Sequence, residues 1–134
     1  METELKFFMP MVPPTVTHQE KSWTVRNGKP VSYEPAELKA ARAKLEAHLA
    51  QHRPERKMEG ALRLIVKWCF PIVGKHLDGE YKTTKPDTDN LEKLLKDIMT
   101  KLGFWKDDAQ VASEIIEKFY ARIPGILVYV EEIE

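Results

Sequence analysis

The sequence predicts a single α+β domain with elements in the order β-α-β-α-β-β, a mixed sheet carrying its helices on one face. Three observations predict it. Residues 61–70 alternate apolar and polar, the mark of a strand with one face in the core. Residues 90–102 repeat apolar side chains at helical spacing, and residues 111–121 and 126–133 read as two further strands. Strands that alternate with helices before a final strand pair imply a mixed sheet with helices packed against it. The chain has 134 residues, enough for one core, and shows no repeat and no linker, so the whole span 1–134 reads as one domain.

Lys6-Phe7-Phe8-Met9 is the first short strand, ended by Pro10, Pro13 and Pro14. Residues 13–33 read as an irregular polar excursion with Asn27-Gly28 as a turn. Pro35 suits the first position of a helix, and Glu37 to Gln51 is rich in strong helix formers. Leu38, Ala41, Leu45 and His48 or Leu49 fall on its apolar stripe, and Arg53-Pro54 ends it. In the next strand Leu62, Leu64, Val66, Trp68 and Phe70 share one face, with Arg63 and Lys67 on the other. Cys69, the one cysteine, sits in this apolar run and reads as a buried free thiol, which rules out an intrachain disulfide. Residues 71–86 form a second long loop. Leu91, Leu94, Leu95, Ile98, Met99 and Leu102 define the second helix, with Asp87, Thr88 or Asp89 as its cap and Gly103 as its stop. Ile123-Pro124-Gly125 is expected to join the last two strands as a hairpin.

Hydrophobic residues make up 43% and charged residues 31%, an ordinary folded composition. No apolar run approaches the ~18 residues of a spanning helix, and the N-terminus lacks a secretory pattern, so a cytoplasmic protein without a membrane partner is expected. The net charge is zero but unevenly spread: Lys21 to Lys85 carries 14 Lys/Arg against 7 Asp/Glu, and the residues after it 6 against 11. A basic middle can form one face for nucleic acid. Lys21, Arg26 and Lys29 in the first long loop, and Lys75, Lys82 and Lys85 in the second, are the candidate residues for contact with a nucleic-acid backbone. Solvated surface charge explains the same residues.

Two acidic elements frame the second helix: Asp87-Thr88-Asp89-Asn90 at its start and Asp107-Asp108 beyond its end. Carboxylates held together repel one another unless a hard cation sits among them. Lys93 lies four residues beyond Asp89, on a polar flank from which an ammonium reaches a phosphate. Aspartate before a helix is nevertheless more often a cap than a ligand. The helix is about 20 Å long, so Asp107-Asp108 returns toward Asp89 only if the chain bends back along the sheet.

The combined string is more specific. Residues 85–93, Lys-Pro-Asp-Thr-Asp-Asn-Leu-Glu-Lys, resemble the D-x-D-N-x-x-K element of the RusA-type Holliday junction resolvases. Residues 97–111 resemble that family's D-A-L-x-x-x-G-x-W-x-D-D-x-x-V element, with Ile98 and Met99 where Ala-Leu is common. The match runs without a gap over 85–111, and Pro13-Pro14 is similar to a Pro-Pro that follows the first strand in many members. Residues 15–33 and 71–85 lie outside it. The resemblance implies a homodimeric endonuclease, often carried by phages or prophages, that resolves four-way or branched DNA with Mg²⁺ or Mn²⁺. It implies Asp87, Asp89 and Asp108 as metal ligands, Lys93 as the catalytic lysine, and Asp107 in a supporting role or as a further ligand. A junction-binding protein without catalysis is the alternative, since it would share the basic surface but have no need of the acids.

Overall fold

The computed structural model describes residues 3–16, 22–33 and 35–134. Four strands form the main sheet: β1 (Glu4–Met9), β4 (Ala61–Pro71), β5 (Val111–Ala121) and β6 (Gly125–Ile133), in the spatial order β1-β6-β4-β5. Helices α1 (Ala36–Ala50) and α2 (Thr88–Leu102) lie within a residue or two of their predicted bounds. The predicted order β-α-β-α-β-β stands, with one addition. Within the supposed irregular excursion, β2 (Ser22–Arg26) and β3 (Lys29–Tyr33) form a separate two-stranded hairpin. Asn27 and Gly28 both have positive φ, 53° and 75°, the geometry a two-residue hairpin turn demands. Its strands escape a sequence reading because Trp23, Val25, Val31 and Tyr33 alternate too briefly, with Pro30 among them.

Strand β4 is the spine of the sheet. Its alternation puts Leu62, Leu64, Val66, Trp68 and Phe70 in the core, where they meet Leu45 and Leu49 of α1 and Leu91, Leu94, Leu95, Ile98 and Met99 of α2. Both helices thus cover one face of the sheet. The mixed character comes from β4 alone, which pairs antiparallel with β6 and parallel with β5. This corrects the expected final hairpin: β5 and β6 do not pair with each other but flank β4 on either side. Three residues, 122–124, carry the chain over the end of β4. The gap they cross is about two strand spacings, or ~10 Å, which a short extended segment spans. Cys69 also differs from expectation. It lies on the face away from the helices and is half-buried, with burial pushing its thiol pKa up.

Helix α2 ends as the sequence implies. Gly103 adopts φ 85°, its N–H donates to Thr100, and the Phe104 N–H reaches back to the Met99 carbonyl at 3.0 Å. Phe104 and Trp105 then plunge into the core. The Trp105 indole N–H donates to Thr100 Oγ1 at 2.7 Å, and Met58 N–H donates to the Phe104 carbonyl at 2.8 Å. These bonds turn the chain back toward the start of β5.

Gly125 opens β6 where it crosses the end of β1. A Cβ there would stand 2.1 Å from the Phe8 ring and 2.7 Å from the Met9 carbonyl oxygen. The ring can swing aside, but the backbone carbonyl cannot move without parting β1 from β6. Gly125→Ala is therefore expected to destabilise by roughly 1–3 kcal/mol. Adding Phe8→Ala should recover only part of that stability. A thermal melt of both variants checks this, and a wild-type melting point for Gly125→Ala would refute it.

Candidate functional site

One flank of α2 and one edge of the sheet face each other across a groove of about 280 Å³. Asp89, Glu92, Lys93 and Lys96 line it from the helix, at spacings that stack on one side of α2. Glu114 and Ile116 line it from β5, and Asp108 closes it from the short 3-10 turn Asp108–Gln110 that leads into that strand. Asp89, Lys93 and Asp108 thus share one concavity. The groove is long: Asp89 and Lys96 are about 10 Å apart along the helix axis. Asp87 does not line it. It stands one step outside, where its charge acts on Lys118 of β5.

The acids differ in how they are used. Asp87 occupies the N-cap position of α2 in extended geometry, yet its carboxylate makes no capping bond. The common role of an aspartate before a helix is thus not the role it plays. Asp89 is exposed in the first turn, where the helix dipole favours negative charge. Asp107 is occupied. Its carboxylate accepts from Ala109 N–H at 2.9 Å, and Gln110 Oε1 accepts from the Asp107 N–H at 3.0 Å, a reciprocal cap on the 3-10 turn. That leaves the second acid of the pair, Asp108, to face the groove. Lys93 is largely exposed and pairs loosely with Asp97 at 3.9 Å.

Sequence reasoning missed Glu92, Lys96, Glu114 and Lys118. The helical offset of three from Asp89 was a legible signal for Glu92. No local signal placed the β5 residues, because their position depends on which strand β5 joins. Glu92 is 2% exposed. Its Oε1 accepts from the Trp68 indole N–H at 3.3 Å, while Oε2 is buried without a hydrogen-bond partner. Burial, reinforced by the neighbouring Glu114 carboxylate, pushes its pKa up to about 9. Glu114 is paired with Lys96 at 3.2 Å.

Among the described residues, no three His, Cys, Asp or Glu side chains stand close enough to surround one ion. The donors along the groove are nevertheless of the right chemistry for a hard divalent cation, the carboxylate oxygens of Asp89, Asp108 and Glu114.

The basic residues divide. Lys82 does not extend into solvent. Its ammonium lies 5.2 Å from the Phe70 ring centre and 5.1 Å from that of Tyr120, and donates to Thr84 Oγ1 at 2.7 Å. Lys75 and Lys85 are exposed on either side of it. Lys29, exposed, and Arg26 sit across the turn of the β2–β3 hairpin, and Lys21 lies outside the described residues.

Comparison with known proteins adds independent findings. The family model described as endodeoxyribonuclease RusA matches residues 11–131. The crossover junction endodeoxyribonuclease rusA of Lactococcus phage r1t is 33% identical over 113 residues, covering 83% of this chain and 83% of the phage protein. The uncharacterized protein YqaN of Bacillus subtilis (strain 168) is 32% identical over 121 residues, covering 82% of this chain and 84% of its own.

The buried Glu92 carboxyl gives a pH test. Its pKa is raised in the folded state, so the native protein keeps the proton while the unfolded chain loses it above about pH 4.5. Stability should then fall as pH rises from about 4.5 toward about 9. Glu92→Gln, permanently neutral, should flatten that decline and be more stable than wild type at pH 8 by roughly 1–3 kcal/mol. Melting curves from pH 5 to 9 in a chelator decide it. A parallel decline in both proteins would show that Glu92 ionises normally.

Proposed function

The chain belongs to the RusA endodeoxyribonuclease family, and from that premise we propose that it resolves four-way DNA junctions by paired, Mg²⁺-dependent phosphodiester hydrolysis as a homodimer. The observation that carries the proposal is the groove bordered by Asp89, Lys93 and Asp108, with Asp87 beside it and unspent as a cap. Asp87, Asp89 and Asp108 are the residues that would hold Mg²⁺ or Mn²⁺. A divalent ion bound there would supply the charge that activates water and offsets the phosphate.

The chain's own residues account for the rest. Lys93, one turn into α2 and exposed, would donate to a phosphate oxygen that gains negative charge in the transition state. Asp107 supports the site at one remove, because its cap on the 3-10 turn fixes the backbone from which Asp108 extends. Lys75 and Lys85 flank the segment that enters Asp87, and Lys29 and Arg26 mark the hairpin turn. We assign these residues, with Lys21, to the DNA backbone. Lys82 acts through its ring contacts and Thr84 rather than as a free cation. Resolving a junction requires two cuts of like polarity, which a two-fold dimer supplies most simply. The phage relative supports an origin of the same kind.

A synthetic four-way junction, with and without Mg²⁺, tests the reading. Asp87→Asn, Asp89→Asn and Asp108→Asn are each expected to lower cleavage by roughly a hundredfold or more while junction binding persists. Asp107→Asn should cost far less cleavage, since an amide oxygen still caps the turn. Wild-type cleavage by Asp108→Asn would overturn the ligand assignment, and metal-independent binding without any nicking would favour a non-catalytic junction binder. Replacing Lys75 and Lys85 together by Ala should weaken binding and flatten its salt dependence, by about one logarithmic unit of slope for each phosphate that is no longer neutralised. An unchanged slope would move the DNA backbone elsewhere.

A further inference from the structure

Lys118 lies near the far end of β5, on the sheet face that carries α2. Its ammonium donates to the carbonyl oxygens of Thr84 at 2.6 Å and Pro86 at 2.7 Å. Its own backbone carbonyl accepts from the Lys82 N–H at 2.9 Å. One residue therefore holds residues 82–86 to the sheet edge by both main chain and side chain. Pro86 is the residue before Asp87, and nothing in α2 itself orients the Asp87 carboxylate, because it makes no capping bond. The Asp87 charge in turn acts on Lys118.

We propose that Lys118 is a positioning residue for Asp87, fixing the entry of the chain into α2 and thereby the place of this carboxylate beside the groove. The proposal rests on the nuclease reading only for what Asp87 does. The geometry calls for lysine in particular. An ammonium is a compact donor that meets two carbonyls converging on one point, whereas a guanidinium presents a wide planar fork. A pair of charge-assisted bonds to the carbonyls of exposed Thr84 and buried Pro86 is also short and strong, as the 2.6 and 2.7 Å distances show. Burial and the nearby Lys82 pull the Lys118 pKa down, and Asp87 opposes them, so the ammonium is held among groups that feel its charge.

A merely structural role is separable from this one. The measurements are the melting temperature, Mn²⁺ affinity by calorimetry on DNA-free protein, junction binding in a chelator, and cleavage as a function of Mg²⁺. Lys118→Met keeps the aliphatic stem and loses both bonds. It is expected to melt within a few degrees of wild type and to bind junction normally, yet to lose Mn²⁺ affinity and cleave at least about tenfold more slowly, since small misplacements of a reacting group cost rate steeply. Extra Mg²⁺ should restore part of its rate. Lys118→Gln keeps a donor for one of the two carbonyls, should fold where Met fails, and should fall between the two. Unchanged Mn²⁺ affinity in a folded Met or Gln variant would overturn the proposal, whatever happens to its melting point. If the wild type binds Mn²⁺ but does not cut junctions, and the Met variant still loses Mn²⁺ affinity, the positioning role stands and the nuclease reading fails.

Discussion

The parallel pairing of β4 with β5 is the constraint on which the rest of this structure depends. Antiparallel neighbours can be joined by a tight turn, but parallel neighbours need a crossover long enough to return the chain to its starting end. Here α2 is that crossover, running back over the sheet between Pro71 and Val111. Asp87 and Asp108 are therefore forced to opposite ends of one helix. Between those ends runs β5, which leaves Asp108 and travels alongside α2, placing Glu114, Ile116 and Lys118 in turn on the face the helix covers. The groove is the seam between a crossover helix and the strand it delivers.

Division of labour among the acids follows from the same geometry. At the start of α2 an aspartate has the standard position of a cap but leaves the role unfilled, so its charge is available. At the other end, two adjacent aspartates separate by function: Asp107 closes the 3-10 turn, and Asp108 faces the groove. Inside the seam, Glu92 is buried against Trp68, and the low polarity of that setting keeps its carboxyl neutral at ordinary pH. An ionised Glu92 would otherwise add a fourth negative charge beside Asp89, Asp108 and Glu114.

The outer edge of β5 is covered at its far end. Residues 79–82 pair with it through Gly79 N–H to the Tyr120 carbonyl, Tyr120 N–H to the Glu80 carbonyl, and Lys82 N–H to the Lys118 carbonyl. His76 stacks on Tyr120 at 4.1 Å between ring centres, and Tyr81 stacks on Phe119 at 4.9 Å. An exposed edge invites pairing with other chains, and this loop blunts it. The same zipper carries the chain directly into Asp87. A segment rich in Gly, Lys and Thr thereby becomes a fixed approach to the site.

Much of this was determined by the sequence alone. The alternation from Leu62 to Phe70, the apolar stripe from Leu91 to Leu102 and the stop at Gly103 define their elements through local periodicity and backbone preference, which need no tertiary context. The string from Asp87 to Val111 marked the family, and its acids and Lys93 were legible as residue types at fixed spacing. Tertiary structure decided what spacing cannot: that β5 and β6 flank β4 instead of pairing, that the Asn27-Gly28 turn closes a hairpin, and that Glu92, Glu114 and Lys118 stand at the seam. Strand pairing is a contact between segments distant in sequence, selected by the burial of a common face, and no local pattern encodes which neighbour a strand will choose.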